Sequence, residues 1–402
     1  MAKKVWQADD NGLHPLVEDY TVGSDYITDL QLLEFDIEAS KAHSKMLLAQ
    51  KILTKEEFGK LTTALEKLTV LVQEGSFKID KSQEDGHTAI EQYLTDECGE
   101  AGKKIHTGRS RNDQSLVMIR LFSKKILLEI EKDIKQLVKA YEVAIKQVGK
   151  EPMPGYTHMQ KAMPTTIATW LGAYKDGFSD VANYLPSTLD YINQNPLGSA
   201  SGFGITNFAN QRDLTTNELG FEKTQENPIY CGISRGLFEN VVLQSLSPAM
   251  VLAGKFANDM LLFTTSEFGF VSLPSQYTTG SSIMPQKRNY DVFEIMRGNS
   301  KLYHTLQLQI QDIILGFGTG YQRDLQLTKK SFIDAINLCK QTIILLSELV
   351  ANLQFIEDRL RSAMTDDLFV TNKVYDLVND GMSFREAYKI VKKKYFDNIR
   401  GY

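Results

Sequence analysis

The run Gly280-Ser281-Ser282-Ile283-Met284-Pro285-Gln286-Lys287-Arg288-Asn289, preceded by Thr278 and Thr279, places two hydroxyls, two cations and two amides behind a glycine. It lies between an apolar stretch ending near Leu273 and another beginning near Val292. Gly280 and Pro285 punctuate the backbone and the polar groups lack any burying period, so the run belongs on a mobile loop. A solvated connection between helices is the alternative, and composition alone does not separate the two.

Further polar clusters sit at helix junctions. His106-Thr107-Gly108-Arg109-Ser110-Arg111-Asn112-Asp113-Gln114 precedes a long helical pattern. Asn112 or Asp113 can cap that helix, and exposed backbone donors beside two arginines make a natural carboxylate site. In Gly155-Tyr156-Thr157-His158-Met159-Gln160 a loop histidine beside a threonine is a candidate acid or base, because imidazole changes charge near neutral pH. Tyr321-Gln322-Arg323-Asp324-Leu325-Gln326, leading to Lys329, reads alone as a cap with solvated charges.

The elements that must position these clusters are helical. Apolar residues at three- and four-residue spacing dominate from Leu30 onward, and strand-like alternation is scarce. A first helix is expected over residues 30–52, and a second after a capping box of Thr54 and Glu57, followed by a loop from Gly75 through 78–86. Residues 113–148 contain neither glycine nor proline. At 1.5 Å per residue such a helix runs roughly 50 Å. Further long helices are expected over 164–193, 236–268, 291–315 and 329–355, with Pro164 in a first turn and Pro248 kinking its helix. The fold class is therefore all-α: an elongated central bundle of five long helices (residues 112–356), a smaller N-terminal helical domain (1–111) and a short C-terminal helical region (357–402). Stripes this long also bury surface between subunits.

Composition narrows the function classes. Of 402 residues 42% are apolar and 24% charged, and a net charge of −5 supplies no basic excess for a nucleic-acid backbone. The start, residues 1–10, turns polar before a signal peptide's apolar core could form, so a cytoplasmic protein is expected. No apolar run is read as approaching the roughly 20 residues of a membrane helix. Cys98, Cys231 and Cys339 lack the spacing of a metal or redox site and read as reduced, buried thiols.

Taken together, the clusters resemble argininosuccinate lyase, within the superfamily that also holds fumarase, aspartase and adenylosuccinate lyase. Residues 280–289 look like the superfamily's mobile loop, while 106–114 are similar to a segment typical of argininosuccinate lyases in particular. The resemblance covers roughly residues 21–392 and includes Glu84-Asp85-Gly86-His87. It implies elimination of argininosuccinate to L-arginine and fumarate without metal or organic cofactor, as in arginine biosynthesis and the urea cycle. It also implies a homotetramer whose multi-helix core builds each active site from three chains.

By the family's pattern Ser281 is the base and His158 the acid, with Glu294 orienting and charging the histidine. Lys287 and Asn289 meet the substrate carboxylate as charge grows. Ser110, Arg111, Asn112 and Thr157 bind the succinyl carboxylates, and Tyr321, Gln326 and Lys329 the rest of the substrate. Ser24 or Asp25 matches a substrate contact loosely, and Ser282 is the next candidate for the base. Tyr290 stands where a proline commonly follows the loop asparagine and Met163 replaces a common glutamine, from which altered loop dynamics are expected. The chain also ends earlier than many relatives, so a small C-terminal region is expected. A sister lyase and an inactive crystallin-like packing protein are the competing readings; the segment 106–114 opposes the first, and retention of Ser281, Lys287, His158 and Glu294 the second.

Overall fold

The computed structural model describes residues 14–208 and 210–399, without the side chains of 397–399. The polar start at residues 1–10 and the terminal Tyr402 lie outside the described residues. After short helices Pro15–Val22 and Asp25–Thr28 come α1 (Leu33–Ala49), α2 (Lys55–Gln73), α3 (Gly86–Cys98) and the 38-residue α4 (Arg111–Val148). An antiparallel hairpin, β1 (Pro152–Thr157) and β2 (Gln160–Thr166), leads into α5 (Ile167–Ile192). Then follow α6 (Leu237–Phe263), α7 (Asp291–Ile314), α8 (Thr328–Ala351), α9 (Val370–Asn379) and α10 (Phe384–Ile399). The protein is all-α, with short paired strands as connectors.

Two compact units are built from this chain, and α4, α5, α6, α7 and α8 each contribute residues to both. The first comprises the described residues up to Lys132, Asn183–Pro248 and Leu302–Lys340. Its core shows why the sequence is helical: Leu61, Ala64, Leu65 and Leu68 of α2 recur at helical spacing and are buried with Leu33, Leu47, Ile90 and Leu94. The expected capping box starts α2, with the Thr54 hydroxyl accepting from Glu57 N (3.2 Å) and Glu57 Oε2 accepting from Thr54 N (2.9 Å).

The second unit comprises Asp133–Ala182, Ala249–Lys301 and the described residues from Gln341 onward. An aromatic core fills it: Tyr141 lies 6.4, 6.1 and 5.8 Å from Tyr174, Phe178 and Phe256, ring to ring. Burying each such ring contributes roughly 2–3 kcal/mol. Asp259 crosses this apolar layer because Trp170 Nε1 (2.8 Å) and Tyr174 OH (2.6 Å) donate to it. The C-terminal pair α9 and α10 has its own small core of Val374, Ala387 and Val391.

Some expectations are corrected. Pro164 does not open a helix; it pairs with Pro154 in the hairpin, and α5 begins only at Ile167. Proline suits this position because a two-stranded ribbon has edges that need no N–H. Helix α6 is 27 residues long and, by length and composition, apolar enough to cross a membrane. Its Val242, Leu243, Leu246, Met250, Phe256 and Met260 are nevertheless fully buried within the protein. It runs through Pro248, as α5 runs through Pro186. Cys231 and Cys339 are buried free thiols, and Cys98 is half-buried and free.

Candidate active site

In the first unit a cavity of about 140 Å³ gathers residues from distant segments. Asp25 comes from the short second helix, Arg111 and Asn112 from the first turn of α4, Tyr321, Arg323 and Gln326 from the segment before α8, and Lys329 from the first turn of α8. Glu84, Asp85, His87, Ser115 and Arg235 complete the polar lining, and Val22 is its apolar member. Four fixed cations thus face three carboxylates, a composition suited to a ligand carrying both signs of charge.

Lys329 anchors the floor. It is 3% exposed, and its ammonium lies 2.5 Å from Asp29 and 3.2 Å from Asp25. Burial pulls its pKa down, but the two carboxylates overcome this and hold it above lysine's ordinary value. Burial likewise raises the Asp25 carboxyl, with Lys329 opposing and Asp29 reinforcing the shift. The second Asp29 oxygen accepts from Gly86 N (2.9 Å), which ties the start of α3 to the same point.

Arg111 donates to Glu84 (3.0 Å) and to the Thr88 hydroxyl (2.5 Å), and lies 3.5 Å from Asp85. Behind it, His87 Nδ1 is 2.5 Å from Asp36, while its Nε2 is buried without a hydrogen-bond partner among the described residues. Burial disfavours the imidazolium, yet Asp36, Asp85 and Asp29 together raise its pKa above histidine's usual value. Ser110 precedes α4 as its cap: its N–H donates to Asp113 Oδ1 (2.7 Å), and its hydroxyl accepts from Asn112 N (3.3 Å). The other Asp113 oxygen accepts from Gly198 N (2.9 Å) and Ala200 N (3.1 Å). Complete burial pushes this carboxyl up to about 6 despite those donors. Tyr321 stacks against Arg235, whose guanidinium lies 5.0 Å from the ring centre.

The remaining candidates belong to the second unit. The loop 280–289 is closed at its base by paired backbone bonds between Thr279 and Asn289 (3.0 and 2.8 Å). The Asn289 amide donates to the Gly280 carbonyl (3.3 Å). Within the loop the Ser281 hydroxyl accepts from Ile283 N (3.3 Å) and Met284 N (3.1 Å), donors that favour an oxygen gaining negative charge. Lys287 is exposed.

Thr157 ends β1, and His158 with Met159 forms the two-residue hairpin turn. Both turn residues have positive φ (52° and 62°), a conformation usually left to asparagine and glycine. The left-handed region costs a side-chain-bearing residue about 1 kcal/mol or more, so the turn projects an exposed His158 at the expense of local strain. Glu294 lies exposed in the first turn of α7.

The structure therefore brings Asp25, Arg111, Asn112, Tyr321, Gln326 and Lys329 to one cavity with Ser110 at its edge. It puts Ser281, Lys287 and Asn289 on one loop, Glu294 on the helix after it, and Thr157 and His158 on the hairpin. Sequence reasoning gave no role to His87, Ser115, Arg235 or Arg323. Ser115 stands one helical turn beyond Arg111, so the 3.6-residue period was its signal. His87 lay in the run Glu84-Asp85-Gly86-His87 that shares in the resemblance, without a role of its own, and Arg235 carried no signal, because only tertiary folding brings it to the cavity.

A family model described as "Lyase" matches residues 18–301. Over 395 residues the chain is 40% identical to "Argininosuccinate lyase" of Thermotoga neapolitana, covering 98% of this chain and 99% of the relative. It is also 40% identical to "Argininosuccinate lyase" of Stenotrophomonas maltophilia, covering 97% and 90%. A crystal structure of "fumarate lyase:delta crystallin" from Brucella melitensis superposes with a TM-score of 0.80 at 16% identity, covering 96% of this chain and 89% of that one, which shows a shared fold. On its sequence likeness and its fold, the chain belongs to the argininosuccinate lyase family.

Proposed function

We propose that this protein is a carbon–nitrogen lyase that splits argininosuccinate into L-arginine and fumarate, the arginine-forming step of arginine biosynthesis. The observation that carries the reading is the mixed-charge cavity around Arg111, Asn112, Tyr321, Gln326 and Lys329, in a chain 40% identical to argininosuccinate lyases over nearly its whole length. A substrate with three carboxylates, an α-amino group and a substituted guanidinium fits such a lining.

In the reaction Ser281, as alkoxide, removes the proton from the carbon beside a succinyl carboxylate. Its two backbone donors and the Lys287 cation favour that charge state. Electrons pass to the carboxylate, giving an aci-carboxylate that Lys287 and Asn289 stabilise. The carbon–nitrogen bond then breaks, and His158, oriented by Glu294, protonates the departing guanidino nitrogen. Ser110, Arg111, Asn112 and Thr157 hold the succinyl carboxylates; Asp25, Tyr321, Gln326 and Lys329 hold the arginine part. Closure of the loop excludes water and strengthens each of these interactions.

We further infer a cytoplasmic homotetramer with active sites shared between subunits. The reading is supported by exposed apolar residues on the long helices, among them Leu128, Val143, Ile295, Leu302 and Ile344. Fumarate release followed by ultraviolet absorbance tests the activity, with adenylosuccinate as the control substrate. Turnover of adenylosuccinate alone would overturn the reading. Mixed oligomers of His158→Asn and Ser281→Ala chains test the sharing; no regained activity would count against it.

A further inference from the structure

The segment Gly198-Ser199-Ala200-Ser201-Gly202-Phe203-Gly204 is bound beside the residues that start α4 at the cavity's edge. Asp113, through the oxygen not used in capping α4, accepts from Gly198 and Ala200 (2.9 and 3.1 Å). The Asn210 amide donates to the carbonyls of Gly108 (2.9 Å) and Gly198 (3.3 Å). The segment is thus fastened at its base to the Ser110–Arg111–Asn112 run.

Its outer part reaches the opposite edge. Phe203 is 61% exposed between Gly202 (φ +97°) and Gly204 (φ +69°). The ring tip lies 4.0 Å from where a Cβ on Gly320 (φ +95°) would stand, and Gly320 precedes the cavity residue Tyr321. The cavity lining itself is charged or polar apart from Val22. An arginine chain carries three methylenes and a flat cation, which call for apolar and aromatic cover, and within this lining Val22 and Tyr321 are the residues that offer it.

We propose that Phe203 is a specificity residue for the arginine half of the substrate, its ring covering the aliphatic chain and guanidinium plane beside Tyr321. This rests on the lyase reading above. A ring placed over the arginine half acts on that half of the substrate alone.

The test runs the reaction in reverse, from L-arginine and fumarate. Phe203→Ala is expected to raise the KM for L-arginine about tenfold, equivalent to about 1.4 kcal/mol, and to leave the KM for fumarate in place, with Phe203→Tyr restoring the first. Phe203→Trp gives a second readout: its fluorescence should respond to L-arginine and not to fumarate. An unchanged KM for L-arginine, equal rises in both KM values, or a tryptophan signal indifferent to L-arginine would each overturn the proposal. If the wild-type protein forms no argininosuccinate, the lyase reading itself fails; if it does and Phe203→Ala is silent, only this inference fails.

Discussion

Replacing Lys329 with methionine probes the cavity floor. The ammonium is 3% exposed and neutralises Asp29, which is fully buried, as well as Asp25. Methionine fills a similar volume, so the lost interaction is electrostatic rather than steric. Removing one partner from a buried ion pair typically costs about 3–5 kcal/mol, because the remaining charge stays desolvated. Against a typical total of about 5–15 kcal/mol, Lys329→Met should be close to unfolding at neutral pH. The sign of the pH dependence follows from the directions of the shifts. Lysine's folded pKa is raised, so its contribution is complete below the unfolded value of 10.5 and is lost only as pH rises through the folded one. In the variant the Asp25 carboxyl, already raised by burial, loses the cation that opposes that shift, so stability should recover on acidification. Adding Asp29→Asn should return most of the loss. Urea unfolding of the two single variants and the double variant between pH 5 and 8 measures this. A Lys329→Met loss under about 1 kcal/mol, or no rescue by Asp29→Asn, would refute the electrostatic account.

Other outcomes follow from the same geometry. The Asp113 carboxyl, raised to about 6 by burial, should add stability as pH falls from 7 towards its unfolded value of 3.8, so Asp113→Asn should flatten the stability curve in that window, read by denaturant titration. The His87 shift is also upward, so its contribution is present below 6.5 and lost as pH rises through the folded value; His87→Gln should remove that loss in the same titration. At the hairpin turn Met159→Gly should be neutral or stabilising by up to about 1 kcal/mol, and Met159→Val destabilising, because only glycine takes φ of 62° without cost; thermal unfolding compares them. Thr54→Ala, which removes the α2 cap, should cost about 1 kcal/mol in the same measurement.

Much of the fold was legible because long amphipathic helices repeat one signal many times. The expected helix over 113–148 differs from α4 by two residues at its start, where Ser110 and Asp113 form the cap. The hairpin was not legible: Pro152, Pro154 and Pro164 break any alternation, and its turn is His158-Met159 rather than an asparagine–glycine pair. In the candidate site, the residues whose polar runs adjoin helix starts were visible as chemistry, among them Arg111, Asn112 and Ser281. His87, with Asp36 behind it, and Arg235, against Tyr321, depend on contacts between segments far apart in the chain, which local pattern does not encode. Nor did the glycines around Phe203 stand out, since their meaning depends on its approach to Gly320.

The central claim is a serine-initiated elimination on argininosuccinate, and the direct measurement is product formation by the wild-type protein beside Ser281→Ala. The account predicts fumarate and L-arginine in equal amounts from the wild type, and a loss of kcat of at least about a thousandfold in Ser281→Ala with the substrate still bound. No fumarate from the wild-type protein, or undiminished turnover in Ser281→Ala, would contradict it.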